Sequence, residues 1–329
     1  MSERPNVLIV AAGGTMGMTY DERAKSYAPT LNAGDMLAWL ESKELPCEVT
    51  VVDWSHQPSS HYNIRMMADL AELLRREAGQ GINGIVVTAG TDSMEEMAYL
   101  VDLLWPYPYP VIFTGSMIPS DQLGSDGPLN LYHALLAASS ECIWGLGVLV
   151  CFRDQLFAAS EVCKVNSFKR DALTAPERGP VAEIVGNKIH LVKKTKRGRI
   201  IEGNLIPARE VEVFWATLGG GERVLKLLSE DESLEGLVLA GFGSGNVNPA
   251  WVPPIRQIIR RNIPVVITSR CLRGRVVTSY AYEGSAQKLL EIGVLSGGNL
   301  TPLQARLKLA VGIGAGLTGK DLQRYLLEN

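Results

Sequence analysis

Histidine, cysteine and long apolar runs are scarce in this chain of 329 residues. Its four histidines and five cysteines are scattered, without a CxxC pair or the Cys/His spacing of a zinc site. The sequence therefore predicts neither a metal nor an organic cofactor, and the dispersed thiols are typical of a reducing compartment. No stretch reaches the roughly 20 apolar residues of a membrane span, so we expect no membrane partner.

Strongly basic segments are also missing. The formal net charge is −3, from 32 lysines and arginines against 35 acidic residues. The longest basic cluster lies within residues 193–199, and a solvated loop explains it. We expect no nucleic-acid partner, because such a partner requires a basic patch or stripe. The apolar run at residues 7–10 is too short for a signal-peptide core, which predicts a cytoplasmic location.

Short β-branched runs alternate with amphipathic stretches in the first half of the chain. This alternation predicts an α/β fold with a parallel sheet covered on both faces. The predicted strands span 7–10, 49–52, 84–87, 111–114 and 146–152. The predicted helices span 33–44, 64–77, 94–104 and 129–139. Two further runs, 183–185 and 188–192, flank Gly186-Asn187 and predict a β-hairpin.

The same alternation resumes after residue 210 and predicts a second, smaller α/β domain. Its predicted strands span 211–216, 236–240 and 264–269. Its predicted helices span 221–228, 252–261, 285–292 and 301–311, and the last two are expected to close the chain. We therefore expect a larger amino-terminal domain over residues 1–192, a linker over 193–210 and a carboxyl-terminal domain over 211–329.

Small hydroxyl residues follow several of the predicted strands. In open α/β sheets, ligands bind at the carboxyl ends of the strands. The hydroxyl residues and the one acid at these ends are Thr15, Ser59, Ser60, Thr91, Asp92 and Ser116. Taken alone, a tight turn also explains Gly13-Gly14 before Thr15, and Thr91 or Asp92 can instead cap the helix that follows.

This set of residues is suited to binding a small zwitterion and attacking its carbonyl group with a threonine hydroxyl. The hydroxyl needs a base, and a lysine can serve where histidine is absent. Lys164 follows the fifth predicted strand and is the candidate, although a single lysine on a loop is more commonly just solvated. A nicotinamide dehydrogenase is disfavoured because the loop around Gly13 lacks the dinucleotide fingerprint.

Five motifs resemble the L-asparaginase/glutaminase family. They are Gly13-Gly-Thr15, Gly90-Thr-Asp92 with Met94-Glu-Glu96, Ser125-Asp-Gly-Pro-Leu-Asn-Leu-Tyr132, Val162-Cys-Lys164 and Gly243-Ser-Gly-Asn246. Together they span nearly the whole chain in the order and spacing of the family, and Ser26-Tyr-Ala-Pro29 is closer to the cytoplasmic type I enzymes. The resemblance implies hydrolysis of L-asparagine to L-aspartate and ammonia, with a small amino-acid amide as the partner and no cofactor.

The resemblance also implies roles for individual residues. Thr15 resembles the primary nucleophile, and Tyr27 resembles the mobile-loop tyrosine that assists it. Thr91, Asp92 and Lys164 resemble a second triad, in which Asp92 would also hold the substrate ammonium group. The residues implied in substrate binding are Gly14, Ser59, Ser60, Gly90, Asp92, Ser116 and Asn246.

The resemblance implies more specific roles at five of these positions. Ser59 and Ser60 lie where the family binds the substrate carboxylate, and their individual roles stay open. Backbone amides around Gly90 and Ser116 are expected to form the oxyanion hole. Asn246 matches an asparagine that reaches into the site of a neighbouring subunit. We therefore expect a homotetramer with shared active sites, with a dimer as the alternative.

The chain also departs from the family pattern. Ala89 stands where histidine is usual, and Ala240 stands near the arginine of type I enzymes that bind asparagine allosterically, although Cys271 matches that pocket. These departures predict weak or absent glutaminase activity and hyperbolic saturation with asparagine. Three alternatives stay open: another amide such as glutamine as the substrate, the related transamidosome component with its extra amino-terminal domain, and a catalytically silent amino-acid sensor.

Overall fold

A computed structural model describes residues 4–203 and 205–328 of the protein. The chain divides into two compact units, one ending at Glu202 and one beginning at Gly203. A larger amino-terminal unit with a parallel sheet and a smaller carboxyl-terminal α/β unit confirm the predicted fold class. In the described part of the chain, no helix is both long enough and apolar enough to cross a membrane.

The described residues of the first unit form twelve strands, four α-helices and three short 3-10 turns. The strands are β1 Asn6–Ala12, β2 Met18–Asp21, β3 Ser26–Pro29, β4 Glu48–Ser55, β5 Gly84–Ala89, β6 Val111–Thr114, β7 Val148–Phe152, β8 Gln155–Ala158, β9 Cys163–Lys164, β10 Leu173–Thr174, β11 Ala182–Val185 and β12 Lys188–Leu191. The helices are α1 Ala33–Ala38, α2 Ile64–Ala78, α3 Met94–Leu104 and α4 Gly127–Ala138. The 3-10 turns are Thr15–Gly17, Ser59–His61 and Glu141–Ile143.

One eight-stranded sheet forms the centre of this unit, in the order β12-β11-β8-β7-β6-β5-β1-β4. The five strands from β7 to β4 in this order are parallel, and β8, β11 and β12 extend one side with antiparallel pairing. Gly186 and Asn187 join β11 to β12 with φ values of 57° and 59°, as a two-residue hairpin turn requires. The loops that follow β1, β4, β5 and β6 therefore share one end of the sheet.

Burial on both faces explains why the central strands are parallel and apolar. Every residue of β5, β6 and β7 is buried. Ile9, Val86 and Ile112 of the sheet pack in one core with Leu131 and Leu135 of α4. Burying each such side chain is worth about 1.5–3 kcal/mol. The strand ends are thus held by the most stable part of the unit.

The described residues of the second unit form a smaller parallel sheet with its own core. The strands, in sheet order, are β13 Val211–Trp215, β14 Gly236–Gly241, β15 Val265–Ser269 and β16 Leu295–Ser296. The helices are α5 Glu222–Glu230, α6 Val252–Arg260, α7 Ala286–Glu291, α8 Pro302–Gly314 and α9 Gly319–Leu327, with a 3-10 turn at Pro249–Trp251. Leu237, Leu239 and Ile267 of the sheet pack against Ile255 and Ile258 of α6.

Several elements differ from the sequence predictions, and the strands β8, β9, β10 and β16 were not predicted at all. The hairpin of β2 and β3 was not predicted, because its short strands are largely polar. The helix predicted over 33–44 ends at Ala38 and continues as turns. The prediction that the chain closes with the helix at 301–311 is wrong: α8 ends at Gly314, and α9 follows a turn in which Gly316 has a φ of 71°.

Part of the stretch predicted as a linker packs on the first unit. Arg197 Nη2 lies 2.9 Å from Asp102 Oδ1 and donates hydrogen bonds to the carbonyl oxygens of Asp102 and Trp105. Ile201 N donates to Leu103 O at 3.1 Å. Residues 193–202 are therefore fixed to the end of α3.

Candidate active site

A main-chain contact joins the loops that follow β1 and β5. A Cβ atom placed on Gly14 would lie 2.2 Å from Gly90 N and 2.4 Å from Gly90 Cα. Gly14 also has a φ of 93°, a conformation that glycine adopts without steric cost. Thr15 and Thr91 directly follow the two glycines. The structure therefore brings both predicted threonines to one point at the end of the sheet.

The loop after β4 lies against the same point. A Cβ atom on Gly90 would lie 2.6 Å from Ser59 Oγ, so the buried Ser59 side chain packs directly on the Gly90 main chain. Ser93 Oγ donates a hydrogen bond to Ser59 O at 2.7 Å and ties the two loops together. Ser60 is exposed. Of the two candidate serines, Ser59 is thus the one packed against the threonine loop.

The loop after β6 covers the other side of Thr91. A Cβ atom on Gly115 would lie 2.5 Å from Ala89 O and 3.6 Å from Thr91 Cγ2. Ser116 follows, and its side chain is 1% exposed. Among the described residues, no group accepts from or donates to the Ser116 hydroxyl. Ser116 is thus buried directly after Gly115, the residue that packs on the Thr91 loop.

Two side chains at the start of α4, one directly before the helix and one in its first turn, fix this loop, and the sequence analysis gave them no role. Asp126 Oδ1 accepts hydrogen bonds from Met117 N at 3.1 Å and from Ile118 N at 3.0 Å. Asn130 Nδ2 donates to Gly115 O at 2.9 Å and to Asp126 Oδ2 at 3.1 Å. The available signal was the Asp/Asn spacing of four on a helix, which places both side chains on one face.

Lys164 binds both members of the Thr91-Asp92 pair. Its Nζ donates to Thr91 Oγ1 at 3.0 Å and to Asp92 Oδ1 at 2.7 Å. The Lys164 side chain is 14% exposed, whereas that of Asp92 is 72% exposed. The alternative in which Thr91 or Asp92 caps α3 is wrong, because Ser93 is the N-cap residue and the helix has no side-chain capping bond. Instead of capping the helix, the Thr91 and Asp92 side chains accept hydrogen bonds from Lys164, which is distant in the sequence.

Glu95 is a further residue to which the sequence analysis gave no role. It lies in the first turn of α3 and is only partly exposed. Burial, followed by the charge of Glu96, raises the pKa of the Glu95 carboxyl to about 7, while a hydrogen bond from the backbone of Lys164 and the lysine charge act to lower it. A carboxyl group that titrates near neutral pH thus lies beside the lysine.

Tyr27 lies on the hairpin that begins where the Thr15–Gly17 turn ends. It faces Tyr20 across the two strands, with the ring centroids 5.6 Å apart. The Tyr27 hydroxyl contacts Nε2 of Gln122, from the loop between β6 and α4. Tyr27 is therefore carried by the segment that directly follows Thr15.

The remaining predicted residue, Asn246, belongs to the second unit. Its backbone pairs with that of Phe242, and its Oδ1 accepts a hydrogen bond from Ala286 N at 3.2 Å. In the same unit Ala240 is fully buried in β14, and Cys271 is exposed. Within the first unit the structure gathers Gly14, Thr15, Ser59, Gly90, Thr91, Asp92, Ser116 and Lys164.

A hydroxyl within hydrogen-bond reach of an amine, which is itself oriented by a carboxylate, is the arrangement of a nucleophile, its base and an orienting group. The Thr91, Lys164 and Asp92 side chains have this arrangement at the strand ends of an α/β sheet, where ligands bind. The structure thus places a threonine hydroxyl, an amine and a carboxylate in contact at the end of the sheet where ligands bind.

Comparison with known proteins gives the family. Residues 6–197 match the model described as asparaginase, N-terminal, and residues 210–326 match the glutaminase/asparaginase C-terminal domain. The L-asparaginase of Bacillus licheniformis is 31% identical, over 93% of this chain and 94% of that protein. The chain belongs to the L-asparaginase family and is an asparaginase-type amidohydrolase.

Two further relatives show how widely the fold is shared. A component of the glutamyl-tRNA(Gln) amidotransferase of Methanobrevibacter smithii is 28% identical, over 94% of this chain and 72% of that protein. The crystal structure of a probable cytoplasmic L-asparaginase from Campylobacter jejuni superposes with a TM-score of 0.85 at 24% identity, covering 99% of this chain and 100% of that chain. At this identity, the likeness to the Campylobacter jejuni structure is evidence for the fold alone.

Proposed function

We propose that the protein hydrolyses L-asparagine to L-aspartate and ammonia through an acyl ester on a threonine. The observation that carries this proposal is the contact of Lys164 Nζ with both Thr91 Oγ1 and Asp92 Oδ1. In its neutral form, the amine is placed to take the proton of a hydroxyl group, and Asp92 fixes its position. Thr15 is the nucleophile implied by the family resemblance, with Tyr27 assisting it.

The reaction has two halves, acylation of the threonine and hydrolysis of the resulting ester, and the atoms balance in each. The threonine oxygen attacks the side-chain carbonyl carbon of asparagine while its proton passes to the base. The C–N bond then breaks, and the leaving nitrogen takes a proton and departs as ammonia. Water next attacks the acyl ester, which releases L-aspartate and restores the threonine hydroxyl. Neither half needs a metal or a redox partner.

The surrounding groups fit a small zwitterion. The exposed Asp92 carboxylate is assigned to the ammonium group of the substrate, and Ser59 is assigned to its carboxylate, because Ser59 rather than Ser60 packs on the Gly90 loop. The amides near Gly90 and Ser116 are assigned to the oxyanion, since preorganised backbone donors stabilise the charge that develops there.

Ammonia release from a panel of amino-acid amides tests this function. We expect turnover of asparagine, weak turnover of glutamine and a hyperbolic dependence of the rate on asparagine concentration. Mass spectrometry of acid-quenched protein should find the acyl group on the peptide that contains Thr15. The absence of ammonia release from every amide in the panel would show that the proposed reaction is wrong.

We also propose a homotetramer with shared sites, as the resemblance predicts, in the cytoplasm. The support is Asn246, which the family resemblance assigns to the site of a neighbouring subunit. Sedimentation analysis should find a tetramer, and Asn246→Ala should lower activity without dissociating it. A fully active monomer would contradict the shared site.

A further inference from the structure

The hairpin formed by β2 and β3 is separate from the eight-stranded sheet, and the structure fixes it at its base. Thr30 N and Leu31 N both donate to Gly17 O, at 2.9 and 3.0 Å. These bonds bring the end of β3 back to the start of β2. Arg23 and Lys25 lie in the exposed turn at the far end. The hairpin is thus tied at one end, next to Thr15, and its other end is exposed to solvent.

Three consecutive residues of the β6–α4 loop contact this hairpin along its length. Ser120 Oγ donates to Met18 O at 3.1 Å, near the base. Asp121 Oδ2 accepts from Tyr20 N at 2.8 Å, in the middle of β2. Gln122 Nε2 reaches the hydroxyl of Tyr27 on β3. We define Ser120, Asp121 and Gln122 as the latch segment.

The latch segment is itself held in place. The same loop is fixed at its beginning by the bonds of Asp126 to Met117 N and Ile118 N. Asp121 and Gln122 are nevertheless exposed, so water competes with their bonds to the hairpin. Bonds of this kind hold a segment in place and still break often enough for it to open.

We propose that the latch segment holds the hairpin in the closed position that it occupies beside Thr15, with Asp121 as the main contact and Gln122 as the positioning residue for the Tyr27 hydroxyl. The proposal rests on the proposed function for its catalytic consequence only. Release of Asp121 frees Tyr20 and opens the hairpin, and release of Gln122 leaves the hairpin closed but Tyr27 without its partner.

Limited trypsin digestion without substrate tests the latch, since Arg23 and Lys25 lie in the hairpin turn. Asp121→Ala should speed cleavage after these two residues by roughly tenfold, the lower end expected for loss of a hydrogen bond to a charged group. Asp121→Asn keeps an oxygen for Tyr20 N–H and should stay close to wild type. Cleavage after Lys43, in an exposed turn outside the hairpin, should not change.

Asp69→Ala, at an exposed position of α2, is the matched control and should leave cleavage unchanged. Equal cleavage of Asp121→Ala and the control would overturn the latch. So would a parallel increase after Lys43, because it would show general loosening.

Kinetics separate the two roles. Asp121→Ala should raise the KM for asparagine, whereas Gln122→Ala should lower kcat by roughly two- to tenfold, the range for one neutral hydrogen bond, with little change in KM. An unchanged kcat in Gln122→Ala would overturn the role given to Gln122. If the wild-type protein releases no ammonia from any amide, the proposed function fails, and the digestion rates still decide the latch.

Discussion

The two threonine loops are built differently. Thr91 is only 6% exposed, and a nearly buried lysine binds it from a second strand pair. Thr15 begins a short 3-10 turn that continues into the hairpin, and two of the three contacts between the hairpin and the latch segment are exposed. One half of the site is therefore fixed by the sheet, and under the latch proposal the other half is able to open. We propose on this basis that proton transfer belongs to the fixed half and substrate entry to the movable half.

Removal of either hydroxyl tests whether both halves are needed. Thr15→Ala and Thr91→Ala should each lower kcat by roughly a thousandfold or more, since residues that act as one unit each cost nearly the full effect. Ammonia release measures the rate, and the unfolding midpoint should stay near that of wild type. Serine at either position should restore part of the activity. Full activity of Thr15→Ala would exclude the movable half from the chemistry.

Lys164→Met tests the fixed half alone. The substitution removes the only amine in contact with Thr91 among the described residues, and loss of a general base costs roughly 10²- to 10⁴-fold in kcat. Aspartate should still bind, as measured by calorimetry, because the groups assigned to its carboxylate remain. Lys43→Met, at an exposed lysine in the same unit, is the matched control. Wild-type turnover by Lys164→Met would contradict the role of the lysine.

Asp126→Ala should loosen the loop between β6 and α4, which contacts both the Thr91 loop and the hairpin. The carboxylate accepts backbone bonds from Met117 and Ile118, and each hydrogen bond to a charged group contributes about 1.5–3 kcal/mol. We therefore expect a loss of about 3 kcal/mol in the free energy of unfolding, measured with urea, together with lower activity. Asp126→Asn keeps one acceptor oxygen and should lose less. Equal stability of Asp126→Ala and wild type would show that the loop is held by other contacts.

Glu95→Gln gives the smallest expected effect, and it depends on pH. The folded protein raises the Glu95 pKa to about 7 from the ordinary 4.5, so it holds the proton more tightly than the unfolded chain does. Stability from this group is present at low pH and is lost as pH rises from about 4.5 through 7. Glutamine cannot ionise. The variant should therefore gain stability relative to wild type as pH rises, by on the order of 2–3 kcal/mol.

Urea unfolding at pH 5, 6, 7 and 8 measures this difference. Glu72→Gln, at an exposed position of α2, should show no such trend. A difference between Glu95→Gln and wild type that stays constant across these pH values would mean that Glu95 titrates normally in the folded protein.

The sequence predicted those elements whose formation depends on residues close together in the chain. The strand at 111–114 and the helix at 94–104 have the predicted bounds, because buried apolar runs and amphipathic periods depend on nearby residues. The roles of Glu95 and Asp126 could not be predicted in this way. The raised pKa of Glu95 comes first from burial, which depends on the tertiary fold, and Asp126 caps a loop rather than its own helix. Thr91 was open to a capping interpretation for the same reason.

The contact between Gly14 and Gly90 limits how this site can change during evolution or engineering. It joins two main chains, and a Cβ on Gly14 would overlap Gly90, so no side chain can be inserted to move the threonine loops apart. The spacing of these loops is thus inherited from the pairing of β1 with β5. Under the proposed function, a shift toward larger amides would come from the residues assigned to the substrate, such as Ser59 or Ser116. Substrate range can therefore diverge within this fold while the distance between the two threonine loops stays constant.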